Sequence, residues 1–537
     1  MKITSLKNII PVAAFAIAAF GVSSCTGDLD VENINPQQKA TSNYDAVLNK
    51  VYANLVLTGQ TGPDGNKDIE GIDEGTSSFI RQMWNANELP TDEAHCKWGD
   101  AGIPEFNHDS WTDSHPMMKA LYYRLYFGIT CANFYLDQTS DADAAEKRAE
   151  ARFMRAYYYS QLMDLYGNVP MITTVTKDLA KQASRAEMFA FIEKELKAID
   201  GEDASSAEVL EDKAPAYGRA SKVAAWMLLS RIYLNAKVYT GTAQWENAKT
   251  YADKVIKSSY SLCTTAKNGY TPFQLLFMGD NDTNGAQNEI ILPAVHDGLT
   301  TQTWGGCLFI IASTTNAAIL ADYPTGTAQN WGGNHCRKQF VEKFFPTDNI
   351  ISDIPTNVAK AANDDRALFF SKDHTISITD ESNFNSGEAY VKFTNIHADG
   401  TAAHDDGDRF ADTDFPIMRV AEAYLTYAEA DARLNNDICT TDGISKINAL
   451  RTRAEAKTVT SFSLDDILDE WSREFGFEGR RRVDLVRFGK FGGQSSYKWQ
   501  WEGGAEEGQS FDAHYNIFPI PVSDLNANNN LKQNLGY

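Results

Sequence analysis

Apolar residues recur at the spacing of an α-helix along much of this chain, and that periodicity limits the folds open to it. After Thr41-Ser42, apolar residues of 44–55 follow the i, i+3, i+4, i+7 pattern of one helix face. Further helices are predicted over 117–136, 144–166 and 463–475. The last of them opens with Ser463 three residues before Asp466, a variant of the capping box. The pattern predicts a mostly α-helical protein.

Two pairs of predicted helices have the size of tetratricopeptide units. Residues 221–236 are followed by 245–256, and 419–434 by 443–454. Small side chains stand where paired helices would pack closely, at Ala224, Ala225, Ala423 and Ala428. The strict consensus is missing, so degenerate repeats are predicted.

The segment from about 265 to 415 differs in composition from the helical parts. Gly, Asn, Asp and Thr accumulate there, with short apolar runs at 290–292 and 308–311. We expect long loops and short strands inserted into the helical scaffold. Loops of this length in a compact protein are usually functional or disordered, and the aromatic residues in them argue against disorder.

Residues 1–24 have the layout of a secretory signal peptide. Lys2 and Lys7 precede an apolar run, 9–22, which is too short to span a bilayer comfortably. Small residues and Cys25 follow, which is the bacterial lipoprotein pattern, and acyl chains on Cys25 would hold the protein on a membrane. The alternative is an ordinary signal peptide with an incidental cysteine. We predict a lipidated tether over 25–40 and a single domain over 41–537.

The charge balance excludes some partners. Lys and Arg number 49 and Asp and Glu 72, a net charge of −23, which argues against binding nucleic acid or anionic lipid surfaces. The one basic cluster, Arg480-Arg481-Arg482, is expected to form internal ion pairs with nearby acidic residues. Six cysteines besides Cys25 are scattered without a CxxC pair, so no disulfide framework is predicted.

Catalytic and zinc motifs are missing from the sequence. No HExxH, GxSxG, P-loop or GxGxxG pattern is present. A glycosidase needs only two carboxylates, so an enzyme stays open but unsupported, and we predict a non-enzyme. The doublets His95-Cys96 and His335-Cys336 lack the i, i+3 or i+4 spacing of zinc ligands, so the sequence does not favour a metal there.

A better metal candidate is the run Asp280, Asp282, Asn284 and Gly285. Oxygen ligands at alternate positions followed by glycine resemble the front half of a calcium loop. Ile291 stands at the twelfth position, where such a loop has glutamate. An Asp- and Asn-rich turn gives the same pattern, so a structural calcium and a plain turn both remain open.

Three tryptophans lie beside glycine in polar segments: Trp98 in KWGD, Trp304 in TWGG and Trp331 in NWGG. A core tryptophan normally has apolar neighbours at helix or strand spacing, as Trp226 does. Sugar rings present apolar C–H faces that stack on flat indole rings. Each tryptophan alone is more often buried filler, but three in similar settings favour a carbohydrate platform.

Several blocks of the sequence resemble a known family. The blocks that carry the resemblance are DEGTSSFIRQMWNANELPTDE, RFMRAYYYSQLMDLYGNVP, VYTGTAQWENAKTYADKVIKSSYSLC, DTDFPIMRVAEAYLTYAEA, EFGFEGRRRVDLVRFGKF and FPIPVSDLNANN. They occur in the order found in the SusD/RagB family of outer-membrane lipoproteins. The resemblance implies a mostly α-helical fold with four tetratricopeptide-like helix pairs. It also implies a non-enzymatic protein that delivers glycans to a TonB-dependent outer-membrane transporter.

The resemblance also implies site residues. In starch-binding members, an arc of three aromatic side chains holds helical α-glucan, helped by an arginine and an asparagine. Trp98, Trp304 and Trp331 fall at the arc positions and Arg81 at the arginine. The asparagine is not retained, and a one-residue gap leaves Asp100 or Ala101 near its place.

These implications lead to one expected function and several alternatives. We expect a surface-exposed outer-membrane lipoprotein that binds starch-type α-1,4-glucan for import, with the family calcium site near Asp280 and Asp282. Dextran, pullulan or a peptide as the ligand, a glycoside hydrolase, and a purely structural repeat scaffold are the alternatives.

Overall fold

Helices supply most of the regular structure in this computed structural model, which describes residues 43–203, 205–405 and 407–537. Within these residues the helices are α1 Tyr44–Ala53, α2 Phe79–Glu88, α3 Ile103–Asn107, α4 Pro116–Gln138, α5 Asp141–Tyr166, α6 Arg185–Ile199, α7 Lys222–Leu234, α8 Ala236–Thr240, α9 Trp245–Ile256, α10 Pro272–Leu275, α11 Gly306–Ser313, α12 Ala317–Asp322, α13 Lys338–Glu342, α14 Pro355–Ala362, α15 Val420–Leu434, α16 Thr441–Arg453, α17 Leu464–Phe475, α18 Arg481–Arg487 and α19 Val522–Ala527. The mostly α-helical fold is confirmed.

Short antiparallel ribbons make up the β-structure of the described residues. The strands are β1 Ala94–Cys96, β2 Val169–Pro170, β3 Gln182–Ala183, β4 Ile290–Ala294, β5 Asn334–Cys336, β6 Phe369–Phe370, β7 Ala389–Tyr390 and β8 Phe415–Arg419. They pair as β1 with β5, β2 with β3, β4 with β8 and β6 with β7. Two of these pairs, β1 with β5 and β4 with β8, join segments that are far apart in the chain.

The long helices begin and end close to the predicted positions. Ser221 caps α7 by accepting a hydrogen bond from the backbone N–H of Ala224. At α17, Ser463 Oγ accepts from the backbone of Asp466, whose carboxylate accepts from the backbone of Ser463, the predicted capping box. Helices α2 and α6 were not predicted, although α2 carries Arg81.

The long helices pack in a row. Helix α4 contacts α5, α5 contacts α6, α6 contacts α7, and α7 contacts α9. Helix α9 then packs on α15, which packs on α16 and α17. The two predicted pairs, α7 with α9 and α15 with α16, are therefore adjacent, although residues 257–419 separate them in sequence.

The segment between the two pairs holds short helices as well as strands. The apolar run 290–292 lies in β4, as expected of a short strand. The run 308–311 lies in α11, so its assignment to loop or strand is wrong. All eight residues of α11 are buried, and a short apolar run that is buried on every side has no periodicity to distinguish helix from strand.

The basic cluster forms internal ion pairs, as the sequence predicts. These pairs are Arg480 with Asp484, Arg481 with Asp92, and Arg482 with Asp164. The six cysteines of the described residues are free thiols. No helix among the described residues is both long and apolar enough to cross a membrane.

Candidate functional site

The three predicted tryptophans lie side by side, and we call Trp98, Trp304 and Trp331 the tryptophan arc. The Trp331 ring stands in the middle, 6.4 Å from the Trp98 ring and 6.5 Å from the Trp304 ring between centroids. Neighbouring rings are inclined by 51° and 52°. All three side chains are half-buried. The indole rings therefore form a curved apolar platform.

The β1–β5 ribbon brings two members of the arc together. Trp98 follows β1 and Trp331 precedes β5, and the strands pair with Cys96 opposite Asn334. One more hydrogen bond, from the Lys97 N–H to the Gly333 carbonyl at 3.0 Å, extends the pairing toward the tryptophans. Because the strands are antiparallel, the end of one meets the start of the other, which places both rings at one end of the ribbon.

Helix α11 places the third ring. Trp304 stands just before the helix, and the backbone N–H of Trp331 donates to the carbonyl of Ala312 at its far end, at 2.7 Å. Phe309, in the middle of α11, lies with its ring 6.3 Å from that of Trp98. The Trp304 ring also packs on Phe410, 4.9 Å away. The arc thus rests on a buried helix rather than on free loops.

Two glycines make these close approaches possible. A Cβ at Gly333 would overlap the Trp98 ring, and a Cβ at Gly305 would overlap the side chain of Ser78, the N-cap of α2. Gly305 and Gly333 therefore admit neighbouring groups, and each indole keeps one side against the core.

Arg81 supplies the positive charge of the site. Its guanidinium lies over the Phe309 ring at 4.8 Å and over the Trp98 ring at 5.9 Å, and Nη1 donates to the Gly75 carbonyl at 3.3 Å. Its Nε has no hydrogen-bond partner within the described part of the chain. Desolvation lowers the pKa of Arg81, which the carboxylates of Asp100 and Asp73 oppose. Arginine remains charged at neutral pH, so donors are available to a ligand.

A loop that the sequence did not single out completes the site. The arc and Arg81 open into a shallow cleft of about 440 Å³. Its full lining is Asp64, Asp73, Gly75, Thr76, Arg81, Trp98, Asp100, Trp304 and Trp331. Asp64 also fixes the edge of the arc by accepting a hydrogen bond from Trp304 Nε1 at 2.8 Å. The Gly- and Asp-rich stretch before α2 was the available sequence signal for this loop.

Asp100, one of the predicted site residues, is exposed and lies in the cleft lining. Ala101, the other residue at the missing asparagine position, is exposed but does not line the cleft. A curved platform with one arginine and several carboxylates at its edge can stack on apolar faces and hydrogen-bond to hydroxyl groups of a neutral ligand.

Hydrogen bonds to side-chain oxygens hold the predicted calcium loop in place. Asp280 Oδ1 accepts from the N–H of Ala398 at 3.0 Å and from Asn284 Nδ2 at 3.1 Å. The oxygen of the Asn284 side chain accepts from Ala286 N–H, and Asp282 Oδ1 accepts from a neighbouring hydroxyl. The side-chain oxygens named here accept hydrogen bonds from the protein, as in an Asx-rich turn.

Cys25, the predicted lipidation site, lies outside the described residues.

Two family models match the chain. The model described as the SusD family matches residues 313–537, and the model described as starch-binding associating with outer membrane matches residues 29–234. The N-terminal match contains Arg81 and Trp98, and the C-terminal match contains Trp331.

The chain is similar along its whole length to the starch-binding protein SusD of Bacteroides thetaiotaomicron, with 39% identity over 577 aligned residues and 100% of both chains. A SusD superfamily protein of Parabacteroides distasonis has the same fold, with a TM-score of 0.66 at 23% identity over 92% of this chain and 98% of that one. Surface glycan-binding protein A of Bacteroides thetaiotaomicron, solved in complex with laminarihexaose, matches with a TM-score of 0.64 at 19% identity over 91% and 98%. The full-length similarity and the family matches show that this chain belongs to the SusD family.

Proposed function

We propose that this protein binds starch-type α-1,4-glucan on its tryptophan arc and delivers it to a TonB-dependent outer-membrane transporter. The observation that carries the proposal is the arc itself, in which three indole rings turn by about 50° from one to the next. An α-1,4-glucan winds into a helix, so its successive glucose units present their apolar faces along a curve. The starch-binding relative with 39% identity supports this choice of ligand.

Arg81 and the carboxylates at the cleft edge would hold the sugar hydroxyls. Arg81 donates to hydroxyl oxygens, while Asp73 and Asp100 accept from hydroxyl groups. The cleft is shallow, so much of a bound glucan stays in water and each site is expected to bind weakly. Several sites on one polysaccharide would then raise the overall affinity.

Removing the three rings tests the assignment of the arc. We expect the triple variant with alanine at Trp98, Trp304 and Trp331 to lose retention on immobilised starch. Trp245→Ala is the matched control, because this half-buried tryptophan lies on α9, outside the cleft lining. Starch binding that survives the triple change would show that the arc is not the site.

The same preparations test the absence of catalysis. We propose a binding role alone, so α-glucan incubated with the purified protein should release no reducing sugar. Release that disappears on substitution of a carboxylate at the cleft edge would instead support a glycoside hydrolase.

The surface position and the transporter partner form the rest of the proposal. We expect acyl chains on Cys25 to anchor the protein in the outer membrane, so a clickable palmitate analogue should label the protein and not its Cys25→Ala variant. Protease treatment of intact cells should degrade the anchored protein, and a TonB-dependent transporter should co-purify with it from detergent extracts. Protection from the protease would contradict exposure at the surface.

A structural calcium near Asp280, Asp282 and Asn284 stays a prediction.

A further inference from the structure

The two His-Cys doublets, which the sequence did not connect, face each other in the β1–β5 ribbon. His95 in β1 lies directly opposite His335 in β5, and their ring centroids are 5.1 Å apart. Both imidazoles are fully buried. Neither nitrogen of His335 has a hydrogen-bond partner among the residues that the structure describes. Since buried polar atoms are normally satisfied, the unpaired nitrogens of His335 are an exception among the buried polar atoms of this ribbon.

Beside this pair lie three side chains that we call the His-Glu cluster: His95, His108 and Glu381. Nε2 of His95 lies 2.9 Å from Glu381 Oε2, and Nε2 of His108 lies 2.6 Å from the same oxygen. All three candidate ligand atoms lie within 4.8 Å of one another. No other group of three His, Cys, Asp or Glu side chains in the described part of the chain has such an arrangement.

We propose that the His-Glu cluster binds a divalent transition-metal ion of the zinc type, with His95, His108 and Glu381 as its three protein ligands. Two histidines and a glutamate are one of the ligand sets by which proteins hold zinc with an open fourth position. Atoms bound to zinc at about 2.0–2.1 Å stand about 3.3 Å apart in a tetrahedron. The two contacts to Glu381 Oε2 therefore need to open by less than about 1 Å, and the distance between the two histidine nitrogens, which is within 4.8 Å, needs to close by no more than about 1.5 Å.

Metal binding changes the hydrogen positions in the cluster. Nε2 of His95 and Nε2 of His108 each donate a hydrogen bond to the Glu381 carboxylate. A metal ion would replace both hydrogen bonds, and each neutral imidazole would then carry its hydrogen on Nδ1.

Access differs among the three ligands. The His95 side chain is 1% exposed, whereas His108 and Glu381 are each 30% exposed. A metal ion can therefore enter from the solvent side, and a water molecule can take the fourth position. The ligands come from β1, from the end of α3 and from the loop after β6, so the ion would join three separate segments.

The position of the cluster suggests what the ion would stabilise. His95 and His108 bracket the segment that carries Trp98 and Asp100. A metal bound to both histidines closes that segment into a loop and restrains it against the ribbon. In this role the ion would support the tryptophan arc, but the ion itself would bind whether or not a glycan is present.

Metal titration of the purified full-length protein tests the proposal without a glycan. After treatment with EDTA and dialysis, Zn²⁺ binding is measured by competition with a chromophoric chelator, and Co²⁺ binding by visible absorption. We expect one equivalent of Zn²⁺ and a Co²⁺ d–d spectrum with nitrogen and oxygen ligands. Zn²⁺ should also raise the Tm, because an ion that binds only the folded state stabilises it.

Two variants assign the ion to the cluster. Loss of outer-shell partners of a metal typically costs about 10- to 100-fold in affinity, so His108→Gln and Glu381→Gln should each cost at least about tenfold. Both side chains are partly exposed, which favours folding of the variants, and circular dichroism checks this. His514→Gln is the matched control, because His514 is also paired with a carboxylate, Asp512.

Three outcomes would overturn the proposal. The first is that the metal-free protein takes up no Zn²⁺. The second is that the folded His108 and Glu381 variants bind Zn²⁺ as tightly as the unsubstituted protein, and the third is that the His514 control loses as much Zn²⁺ affinity as they do. The first outcome would mean that the cluster consists only of two hydrogen bonds from histidines to Glu381. All of these measurements are made without starch, so failure of the metal site is distinguishable from failure of the proposed function.

Discussion

Single residues decide whether the indole rings of the arc can stand where they do. Trp98 packs against the backbone at Gly333, where no side chain fits, and Trp304 is oriented by its hydrogen bond to Asp64. A glycine next to a tryptophan on a loop is visible in the sequence. The role of such a glycine is not visible there, because the glycine that makes room for Trp98 is Gly333, which lies near Trp331 in a distant part of the chain.

Gly333→Ala should weaken glycan binding with little effect on the fold. The added methyl group would displace the Trp98 ring, and losing one stacked ring costs about 1.5 kcal/mol, or more than tenfold in affinity. Calorimetric titration with maltoheptaose measures the effect. Gly99→Ala is the matched control, because no atom lies within 4 Å of its added Cβ. Equal affinities of the two variants would contradict the packing of Trp98 described here.

At the scale of elements, the helices were easier to predict than the ribbons. Amphipathic helices such as α9 carry their signal within a dozen residues, so their bounds follow from local periodicity. The β1–β5 ribbon has three residues in each strand and joins distant segments, so no local pattern announces it. Both the arc and the His-Glu cluster depend on this ribbon. Sequence reasoning named the three tryptophans and His95 but could not name His108 or Glu381, because only the folded chain brings them together.

Buried ion pairs join the C-terminal elements. Arg419, at the end of β8, donates to Glu474 of α17 at 2.6 Å, to Glu478 at 2.7 Å and to Glu289 before β4 at 3.1 Å. All four side chains are almost fully buried. Arg419 thus supplies hydrogen bonds and positive charge to three carboxylates that water does not reach.

Arg419→Met should therefore lower the free energy of unfolding by about 3–5 kcal/mol, because it leaves buried carboxylates without their partner. Denaturant unfolding followed by circular dichroism measures the change. Arg409→Met serves as the control, since Arg409 is 57% exposed and lies 3.8 Å from Asp405, and should change the stability by no more than about 0.5 kcal/mol. A loss at Arg419 no greater than that of the control would show that the network contributes little.

At the scale of the whole molecule, stability should depend on pH through buried acids. Burial raises the pKa of Asp414 to about 8, and one oxygen of its side chain accepts from the His296 N–H at 2.6 Å. The unfolded chain loses this proton near pH 4, whereas the folded chain keeps it to about pH 8. Folding is therefore penalised progressively as the pH rises from about 4 to 8.

Asp414→Asn should remove this penalty, because asparagine keeps an acceptor oxygen for His296 and does not titrate. Unfolding free energies measured between pH 5 and 8 should fall more steeply for the unsubstituted protein, by up to about 1.4 kcal/mol per pH unit. Parallel pH profiles for the two proteins would show that Asp414 is not protonated in the folded state.

The fold class was accessible from the sequence because two signals agreed. Helical periodicity predicted the scaffold, and the ordered blocks of the family resemblance predicted the arc with Arg81. The loop with Asp64 and Asp73 was missed, since a Gly- and Asp-rich stretch has no periodicity and its role appears only where it meets Trp304. The pairing of His95 with His335 was also missed, because it depends on two short strands that are distant in sequence and carry no local pattern.

The specificity of the tryptophan arc is tested by calorimetric titration of the purified protein with maltoheptaose and with isomaltoheptaose. We predict heat of binding with maltoheptaose alone, because the inclined rings match the curvature of an α-1,4-linked chain, and loss of that heat in the triple tryptophan variant. No heat with maltoheptaose, or equal heat from the triple variant, would contradict the assignment of the arc as an α-1,4-glucan site.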